Sequence, residues 1–485
     1  MPSTQPTIGD QVRHGHDDAL ARELRRRMAR PQRHRLLQGY PMAPLMPPAP
    51  DGDPFDRIEL DPSRPMIVGV LPHTFCNPKV RGCGFCTFPH EKLARGPMRQ
   101  VLDQVMCEIE HTARRQPALR ERHVEAVYLG GGTANLTPPD ELARLCTVLE
   151  TTFELGACEL TLEGVPRYFL LRDEALLDVL SRTGVRHRRI SMGVQTFDDA
   201  WLRRMGRDAF GDRADIQRVI EAAHRRGFTA SADLLFNLPG APIERALADV
   251  RAAVELGFDQ ICTYNLVLTP ELDTVWARDG ALVRAMPGVG AALATWLAVR
   301  ETLLEHGYVQ TTLTNFERGD VAQTPRRFVY ERASFDPGTY DGIGFGPGAI
   351  STFTARDRRS ATKWINLETS AEFSRAMMEH TLAVGTAFDY STADLELLHL
   401  TRNLARLVID KVAYTRFFER DPLASFAPHL HALEAAGLVR ATATTIALTP
   451  NGMFFADAVA GLLAHHRTRE LRKQSDDDAS HQRMG

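Results

Sequence analysis

The chain has 485 residues, a formal charge of −3 and 7 cysteines. At about 150 residues per domain, this length predicts two or three domains with their own cores and excludes a peptide-sized or disulfide-stapled fold. The balance of 58 Lys and Arg against 61 Asp and Glu leaves no global basic field that would hold the chain on nucleic acid or an anionic membrane. No apolar leader and no membrane-length apolar run is present, so we expect a cytoplasmic protein with free thiols.

Residues 1–65 are predicted to form an N-terminal arm. The segment is rich in Arg and then in Pro. Asp17, Asp18 and Glu23 interrupt its basic part, which argues against a targeting peptide. We expect a solvated helix that leads into an irregular stretch.

From Met66 onward, short apolar or β-branched runs alternate with longer segments of helical periodicity. Such alternation predicts parallel strands joined by right-handed helical crossovers. We therefore expect an α/β fold in which residues 66–285 form a partial (β/α)6 TIM-type barrel, with its chemistry at the C-terminal ends of the strands. The predicted strands are 66–71, 124–129, 159–163, 189–194, 230–236 and 260–267, and the predicted helices lie near 97–115, 138–152, 173–183, 213–226 and 243–256.

Three further regions follow the predicted barrel. Residues 286–375 are expected to be a small β-rich accessory extension or lid, because 308–353 is rich in Thr, Gly and aromatics. Residues 376–466 show helical periodicity and then a hairpin pattern at 437–439 and 446–449, which predicts a winged-helix-like C-terminal α+β domain with a packing role. The polar residues 467–485 are expected to be a disordered tail.

The cysteines divide into two groups. Cys107, Cys146, Cys158 and Cys262 are scattered among apolar neighbours and are predicted to pack in the core. Cys76, Cys83 and Cys86 lie within eleven residues, directly after the first predicted strand. Three thiolates from such a Gly- and Pro-containing loop can bind three irons of a 4Fe-4S cluster. The fourth iron would stay open to a small molecule that chelates it through an amine and a carboxylate.

Two other sites fit the same loop. A structural zinc site needs four ligands, and His73 or His90 would supply the fourth. A redox dithiol would use Cys83 and Cys86 alone.

Further polar or Gly-rich residues are placed near the ends of successive predicted strands. A Gly-rich turn exposes backbone groups to a ligand, carboxylates bind hydroxyls or an ammonium, and an arginine pairs with a carboxylate. Each residue alone also fits a tight turn or a structural salt bridge. The candidates are Gly130, Gly131, Gly132 and Thr133 after the second strand, Glu163 on the third, Arg189 and Gln195 on the fourth, and Asp233 on the fifth.

Taken together, residues 66 to about 274 resemble the radical S-adenosylmethionine (SAM) enzymes, in the branch of oxygen-independent coproporphyrinogen III oxidase. The resemblance continues through Tyr264, Asn315, Phe316 and the run from Gly342 to Ala349. It implies that Cys76, Cys83 and Cys86 bind a 4Fe-4S cluster and that the strand-end candidates bind SAM. It also implies reductive cleavage of SAM to a 5′-deoxyadenosyl radical, a small-molecule substrate, and an electron donor such as flavodoxin or ferredoxin.

The chain departs from this branch at two points. Six residues separate Cys76 from Cys83, where family members usually have three, and Val70 and Pro72 stand where the branch has a tyrosine and a histidine. These departures favour a specialised reaction, methylation or cyclopropanation with a second SAM in natural-product biosynthesis. The alternatives are oxidative decarboxylation of the coproporphyrinogen III type, and a non-enzymatic haem chaperone with His73 or His90 as axial ligand.

Overall fold

The structure is a computed structural model that describes residues 19–33, 39–379 and 382–482. Most of its strands belong to one large sheet. The strands of the described ranges are, in chain order, β1 (Met66–Val70), β2 (Phe75–Cys76), β3 (Glu91–Lys92), β4 (Val124–Leu129), β5 (Glu159–Gly164), β6 (His187–Gln195), β7 (Thr229–Phe236), β8 (Gln260–Asn265), β9 (Tyr308–Gln310), β10 (Asn315–Arg318), β11 (Asp341–Phe345), β12 (Ile350–Thr354), β13 (Ala361–Asn366), β14 (Val384–Tyr390), β15 (Val408–Asp410), β16 (Val439–Ala441) and β17 (Thr445–Leu448).

Six parallel strands form the centre of a 12-stranded sheet, in the order β1-β4-β5-β6-β7-β8. They are the six strands predicted from the sequence, with bounds shifted by at most a few residues. All five residues of β1 are buried, as expected for a parallel strand covered on both faces. The prediction of a mixed α/β fold with a parallel, barrel-like sheet is confirmed.

Helices connect these strands. The five predicted crossover helices are present as α2, α4, α5, α7 and α8. Helix α7 begins at a capping box between Asp212 and Asp215 and buries an apolar stripe. The helices of the described ranges are α1 (19–28), α2 (Arg95–Arg115), α3 (Ala118–Glu121), α4 (Pro139–Thr152), α5 (Leu171–Arg182), α6 (Asp199–Arg204), α7 (Arg213–Arg225), α8 (Ile243–Glu255), α9 (Gly280–Arg284), α10 (Val289–Glu305), α11 (Gly319–Ala322), α12 (Val329–Ser334), α13 (Ser370–Glu379), α14 (Thr392–Ala405), α15 (Lys411–Phe418), α16 (Pro422–Ala435), α17 (Pro450–Phe454), α18 (Ala456–Leu463) and α19 (His465–Gln482).

The accessory region lengthens the sheet at both edges instead of forming one lid. Strand β11 pairs in parallel with β1 and continues through the antiparallel strands β12, β13 and β14. At the other edge, β10 and β9 pair antiparallel beyond β8. Residues 384–390, where helical periodicity was expected, form β14, because backbone pairing with β13 decides their conformation. The extension therefore runs past the predicted boundary at residue 375.

Between these two additions, the chain closes the N-terminal end of the barrel with residues 328–334, here named the plug. Glu159, the first residue of β5, accepts hydrogen bonds from the backbone N–H groups of Val329 and Tyr330, at 2.9 and 3.3 Å. Ala333 of the plug packs with Ile67 and with Ala126 of the neighbouring strand. The plug therefore fills this end of the barrel with protein side chains and backbone.

The C-terminal region contains a three-stranded antiparallel sheet in the order β15-β17-β16. Its β16-β17 hairpin lies where the sequence predicted one. The disordered tail expected from residue 467 differs from the structure, in which α19 runs to Gln482. Arg467 forms an ion pair with buried Asp394, and Leu471 is 6% exposed, so contacts with the preceding domain hold the start of this helix.

The N-terminal arm lies along both neighbouring regions. Pro48 and Leu60 form isolated bridges with residues of the extension, and the side chain of Gln32 accepts a hydrogen bond from the backbone of Ala458. Across the ranges described, no helix combines the length and the hydropathy needed to span a bilayer.

Candidate active site

The cysteine loop lies at the C-terminal end of β1, as predicted. Cys76 is in β2, which pairs with β3 just outside the barrel, and Cys83 and Cys86 follow in a tight turn. Backbone bonds fix the base of the loop, because Gly130 donates to the carbonyl of Val70 at 3.0 Å. The three cysteines are therefore carried by one loop at the barrel mouth.

The turn that carries Cys83 is sharply curled. Gly82, Cys83 and Gly84 have φ of +59, +54 and +86°, three left-handed residues in succession. A left-handed cysteine is an unfavourable conformation that costs about 1–3 kcal/mol and persists only where the surroundings impose it. The side chain of Cys83 is buried. The loop thus stores strain at the residue expected to bind iron.

The sulfur atoms of Cys76 and Cys83 accept hydrogen bonds from the protein. Thr133 donates its hydroxyl to Cys76 Sγ at 3.4 Å, and Arg207 donates Nη1 to Cys83 Sγ at 3.3 Å. Burial raises the pKa of Cys76 to about 12, so a bound cation would favour its thiolate form. Three thiols that form no disulfide, with protein donors on Cys76 and Cys83, fit a 4Fe-4S cluster, whose properties depend on such hydrogen bonds.

A single metal ion fits the loop less well. Across residues 19–33, 39–379 and 382–482, no three His, Cys, Asp or Glu side chains meet at one metal-ion position. His73 is fully buried, its Nε2 lies 3.2 Å from the hydroxyl of Thr137, and burial lowers its pKa to about 4. Cysteine ligands of a 4Fe-4S cluster bind different irons and need no such meeting point. His73 is a buried, neutral residue whose Nε2 faces Thr137.

The glycine loop, residues 130–133, packs directly on the cysteine loop. A Cβ on Gly132, whose φ is +51°, would lie 2.8 Å from the carbonyl carbon of Thr74 and 2.9 Å from the carbonyl oxygen of His73. Thr133 adds a backbone hydrogen bond to the carbonyl of Phe75 at 3.1 Å. The absence of side chains at this loop is thus required by its close approach to the cysteine segment. A role of Gly130, Gly131, Gly132 and Thr133 in holding SAM stays a prediction.

Glu163 and Asp233 both face the barrel interior. The hydroxyl of Tyr128 donates to Glu163 Oε2 at 3.0 Å, and Ser191 donates to Asp233 Oδ2 at 3.4 Å. Burial, followed by the charge of Glu163, raises the pKa of Asp233 to about 7. The two carboxyl groups are close enough to interact. Together they line the barrel interior near the mouth with hydrogen-bonding groups.

Gln195 lies at the C-terminal end of β6, where the ladder to β7 is irregular and its own φ is +69°. Arg207, which follows α6, donates Nη2 to the carbonyl of Gly193 in the same stretch. The structure therefore brings Gln195, Arg207 and Cys83 to one side of the mouth.

Arg189 is not at the mouth, and its expected strand-end position is corrected. It is the third residue of the nine-residue β6, 1% exposed, and bonds Gln260 while stacking on Phe328 of the plug at 3.7 Å. Because a parallel strand presents its first residues at the N-terminal end of a barrel, Arg189 faces the plug. This position does not support the carboxylate-binding role that was predicted for it.

Arg207 is the functional candidate that the sequence analysis missed. Its side chain is 7% exposed, it packs 4.9 Å from the ring centroid of Phe210, and its Nε has no partner in the described part of the chain. The available signal was its place in the connection after β6, since connections at the C-terminal side of barrel strands collect functional residues. A buried guanidinium beside Cys83 is suited to bind a carboxylate.

A cavity of about 990 Å³ opens beside Cys76. Its lining includes the basic side chains Lys79, Arg81 and Lys92, together with His90 and Ser370. The volume is at the upper end of the range for small-molecule sites. The lining also includes the acidic side chain Glu91, so basic side chains outnumber acidic ones there.

This combination of cysteine loop, glycine loop and parallel barrel is matched by one family. The sequence profile of the Radical SAM superfamily matches residues 70–253. The chain contains a radical SAM domain. Its cysteine loop, glycine loop, Glu163, Asp233 and Arg207 all lie within those residues, which supports the resemblance stated from the sequence.

Relatives of this radical SAM domain belong to the HemN and HemW branch. Heme chaperone HemW of Lactococcus lactis is 26% identical over 236 residues, 48% of this chain and 58% of HemW. Oxygen-independent coproporphyrinogen III oxidase of Salmonella typhimurium is 28% identical over 300 residues, 60% of this chain and 62% of that enzyme. These alignments thus cover less than two thirds of either relative.

The solved structure of coproporphyrinogen III oxidase (HemN) from Escherichia coli, a radical SAM enzyme, has the same fold. It superposes with a TM-score of 0.69 at 23% identity and covers 85% of this chain and 93% of HemN. The likeness extends well beyond the radical SAM domain.

Proposed function

We propose that this chain is a radical SAM enzyme that holds a 4Fe-4S cluster on Cys76, Cys83 and Cys86 and acts on a small anionic molecule. The observation that carries this proposal is the curled loop at the barrel mouth, where the sulfurs of Cys76 and Cys83 accept hydrogen bonds from Thr133 and Arg207. When bound, the cluster supplies the electron that cleaves SAM to methionine and a 5′-deoxyadenosyl radical. An electron donor such as flavodoxin or ferredoxin is part of the proposal.

Different side chains at the mouth recognise different parts of SAM. Glu163 and Asp233 present carboxyl oxygens to ribose hydroxyls or an ammonium group. Arg207 presents a planar guanidinium to a carboxylate, in place of Arg189. Gln195, beside Arg207, can both donate and accept. The backbone of Gly130, Gly131, Gly132 and Thr133 completes the proposed cofactor site.

The N-terminal arm covers one side of this mouth. Asn265, the last residue of β8, donates Nδ2 to the backbone carbonyl of Gln32 at 2.6 Å. The arm therefore lies across the C-terminal end of the barrel, where it helps to exclude water from a reactive intermediate. A cover role for residues 308–353 stays a prediction, and α13 lines the cavity with Ser370 and Ser374.

The proposed substrate site is the cavity beside Cys76. Lys79, Arg81 and Lys92 provide positive charge for one or more carboxylates. Within this site we propose methylation or cyclopropanation with a second SAM in natural-product biosynthesis. The support is the six-residue separation of Cys76 and Cys83, which adds Lys79 and Arg81 to the cavity wall. Decarboxylation of porphyrinogen propionates also suits a basic lining and is the competing outcome.

A haem chaperone is the second candidate function, favoured by the similarity to HemW. Of the two histidines near the cysteine loop, His73 is fully buried and bonded to Thr137, so it is poorly placed as an axial ligand. His90 is partly exposed, lines the cavity and has its Nδ1 2.7 Å from the carbonyl of Phe88. A chaperone would therefore bind haem through His90 in this cavity.

One experiment separates these functions. Anaerobically reconstituted protein is reduced with dithionite and incubated with methyl-labelled SAM and candidate substrates, and the products are analysed by mass spectrometry. We expect 5′-deoxyadenosine and label in the product, whereas loss of carbon dioxide without label would support decarboxylation. Cys83→Ala is the matched control, and it should give neither product. A Soret band on haem titration, lost in His90→Ala, with no 5′-deoxyadenosine from wild-type protein would overturn the enzyme proposal.

A further inference from the structure

The residues between Cys76 and Cys83, 77–82, contact the turn that carries Arg207. Lys79 donates its backbone N–H to the carbonyl of Gly206 at 3.1 Å. Gly206 has φ +67°, and a Cβ there would lie 2.5 Å from the backbone nitrogen of Val80. The two segments therefore meet backbone to backbone, at a distance that only glycine permits.

A second contact lies on the other side of Arg207. Lys79 Nζ forms an ion pair with Asp208 Oδ2 at 2.5 Å, and this contact lowers the pKa of Asp208. The side chains of Lys79 and Asp208 are 66% and 36% exposed, so water screens the pair. Lys79 thus holds the residues before and after Arg207, with the backbone bond as the firmer contact and the ion pair as an addition.

A third contact reaches Arg207 from below. Asn77 Nδ2 donates to the hydroxyl of Tyr168 at 3.4 Å. The ring of Tyr168 packs edge-on against Phe210 at 5.8 Å between centroids, and Phe210 lies beneath the guanidinium of Arg207. The segment therefore supports the turn at its start, at its end and under its central side chain.

These contacts lead from the cysteine loop to Arg207 and from Arg207 back to Cys83. The segment begins at Cys76 and ends at Cys83, and the arginine that it supports donates Nη1 back to Cys83 Sγ and Nη2 to the end of β6. A loop with three residues between the cysteines would have only half as many residues with which to make these contacts. The longer loop therefore makes specific contacts with the turn that carries Arg207.

We propose that residues 77–82 are a positioning element for Arg207, acting mainly through Lys79. The segment fixes the turn at Gly206 and Asp208, and the turn holds the guanidinium on the sulfur of Cys83. Its effect on a bound cluster rests on the proposed function, but its effect on the turn does not. A positioning element of this kind acts only through Arg207, and that dependence is what the experiment measures.

The first measurement uses full-length, metal-free protein. Hydrogen–deuterium exchange of peptides that span residues 199–212 is compared for wild type, Lys79→Ala and Lys79→Arg. We expect faster exchange in Lys79→Ala and near wild-type exchange in Lys79→Arg, because the longer cation can still reach Asp208. Arg203→Ala is the matched control, since Arg203 acts on Asp208 through charge alone. Lys79→Pro, which also removes the backbone N–H that bonds Gly206, should exchange fastest, and exchange equal to wild type in Lys79→Pro would overturn the proposed contact.

The second measurement is the reduction potential of the reconstituted cluster, followed by electron paramagnetic resonance. Loss of a cationic donor to a cluster sulfur should shift the potential to more negative values in Arg207→Gln. Lys79→Ala should shift it in the same direction by a smaller amount, Lys79→Arg should restore it, and Arg203→Ala should leave it unchanged.

The double variant decides whether the segment acts through Arg207. In Arg207→Gln, the added Lys79→Ala substitution should have no further effect on the potential. Additive shifts would overturn the proposal, since Lys79 would then act on the cluster independently. A protein that binds no cluster would contradict the proposed function, while the exchange measurement would still test the positioning element.

Discussion

The two ends of this barrel carry charged residues in opposite circumstances. At the plugged end, Arg189 lies among Glu159, Glu317 and Glu331, and these carboxylates accept hydrogen bonds from backbone and hydroxyl groups of the protein. At the mouth, the cysteine loop borders a cavity of about 990 Å³ beside Cys76. The charges at the plugged end are thus stabilised within the fold, whereas the cysteine loop at the mouth borders a cavity that can hold a bound group.

This difference separates stability from function along single strands. On β6, Arg189 near the start contacts the plug, and Gln195 at the end contacts the Arg207 region. Polar side chains occur at both ends of this strand. Only the position of a residue along the strand decides which role it has. Substitutions at the mouth should therefore affect bound groups, and substitutions at the plug should affect unfolding.

The largest effect is expected at the cysteines. Replacing Cys76, Cys83 or Cys86 by Ala should abolish cluster binding, because each supplies one iron ligand from the same loop. Iron and sulfide content and the visible absorption of anaerobically reconstituted protein provide the measurement. Cys107→Ala is the matched control, since Cys107 is exposed on α2, in contrast to the core position expected for it. A colourless wild-type protein that binds one zinc would contradict the cluster assignment.

Arg189→Met should give the largest loss of stability. Removing one partner of a buried charge cluster leaves its carboxylates without a counter-ion and costs about 3–5 kcal/mol. The denaturation midpoint of metal-free protein measures this loss, with Arg186→Met, at an exposed residue nearby, as the control. If Arg189→Met instead weakened SAM binding at unchanged stability, Arg189 would belong to the mouth and the contrast between the two ends would fail.

The plugged end should also respond to pH. Burial raises the pKa of Glu159 from its usual 4.5 to about 7, against the charge of Arg189 and the hydrogen bonds from the plug. The folded state therefore binds more protons than the unfolded state between these values, and the free energy of unfolding should fall as pH rises from 4.5 to about 7. One such group contributes up to about 1.4 kcal/mol per pH unit.

Unfolding free energies measured across this range in wild type and Glu159→Gln test the pH effect. The variant should have the shallower slope, whatever its absolute stability. Glu317 belongs to the same group of buried charged residues around Arg189. Burial raises its pKa as well, so some dependence of the unfolding free energy on pH should remain. Identical slopes in the two proteins would show that Glu159 does not bind the extra proton.

The smallest effect is expected at Tyr128, which connects the two ends. Its ring packs 5.0 Å from that of Tyr330 in the plug, and its hydroxyl donates to Glu163 at the mouth. Tyr128→Phe should cost about 1 kcal/mol, the usual contribution of one hydrogen bond. Denaturation and SAM titration of Tyr128→Phe should both change slightly, and Tyr330→Phe, which keeps the ring contact, is the control. A change in SAM affinity for Tyr330→Phe alone would contradict the role of Tyr128 as the residue that connects the two ends.

Much of the fold was predictable because its signals are local. The six strands and five crossover helices follow from hydrophobic periodicity, and the place of the cysteine loop follows from its position after β1. The β14 strand was missed because its conformation depends on pairing with β13, a contact between segments with no common local signal. The start of α19 was missed for the same reason, since Asp394 holds Arg467 from a distant part of the chain.

The candidate site was predictable in part. Local spacing identified Cys76, Cys83 and Cys86 and the glycine loop, and the structure brings Thr133 to Cys76. Spacing along a strand was not enough for Arg189, because neither the start of β6 nor the plug beneath it is visible in the sequence. Arg207 was missed because its importance comes from a sulfur atom 124 positions away in the chain.

The sequence by itself determined the family resemblance, the order of strands and helices, and the three thiols at the first strand end. These features depend on residue type and short-range spacing, which act before the chain is folded. Only the tertiary structure decided which end of the barrel each charge occupies and which residue contacts a cysteine sulfur. Such contacts depend on the register of paired strands and on the path of distant turns, where a shift of a few ångströms separates a hydrogen bond from none.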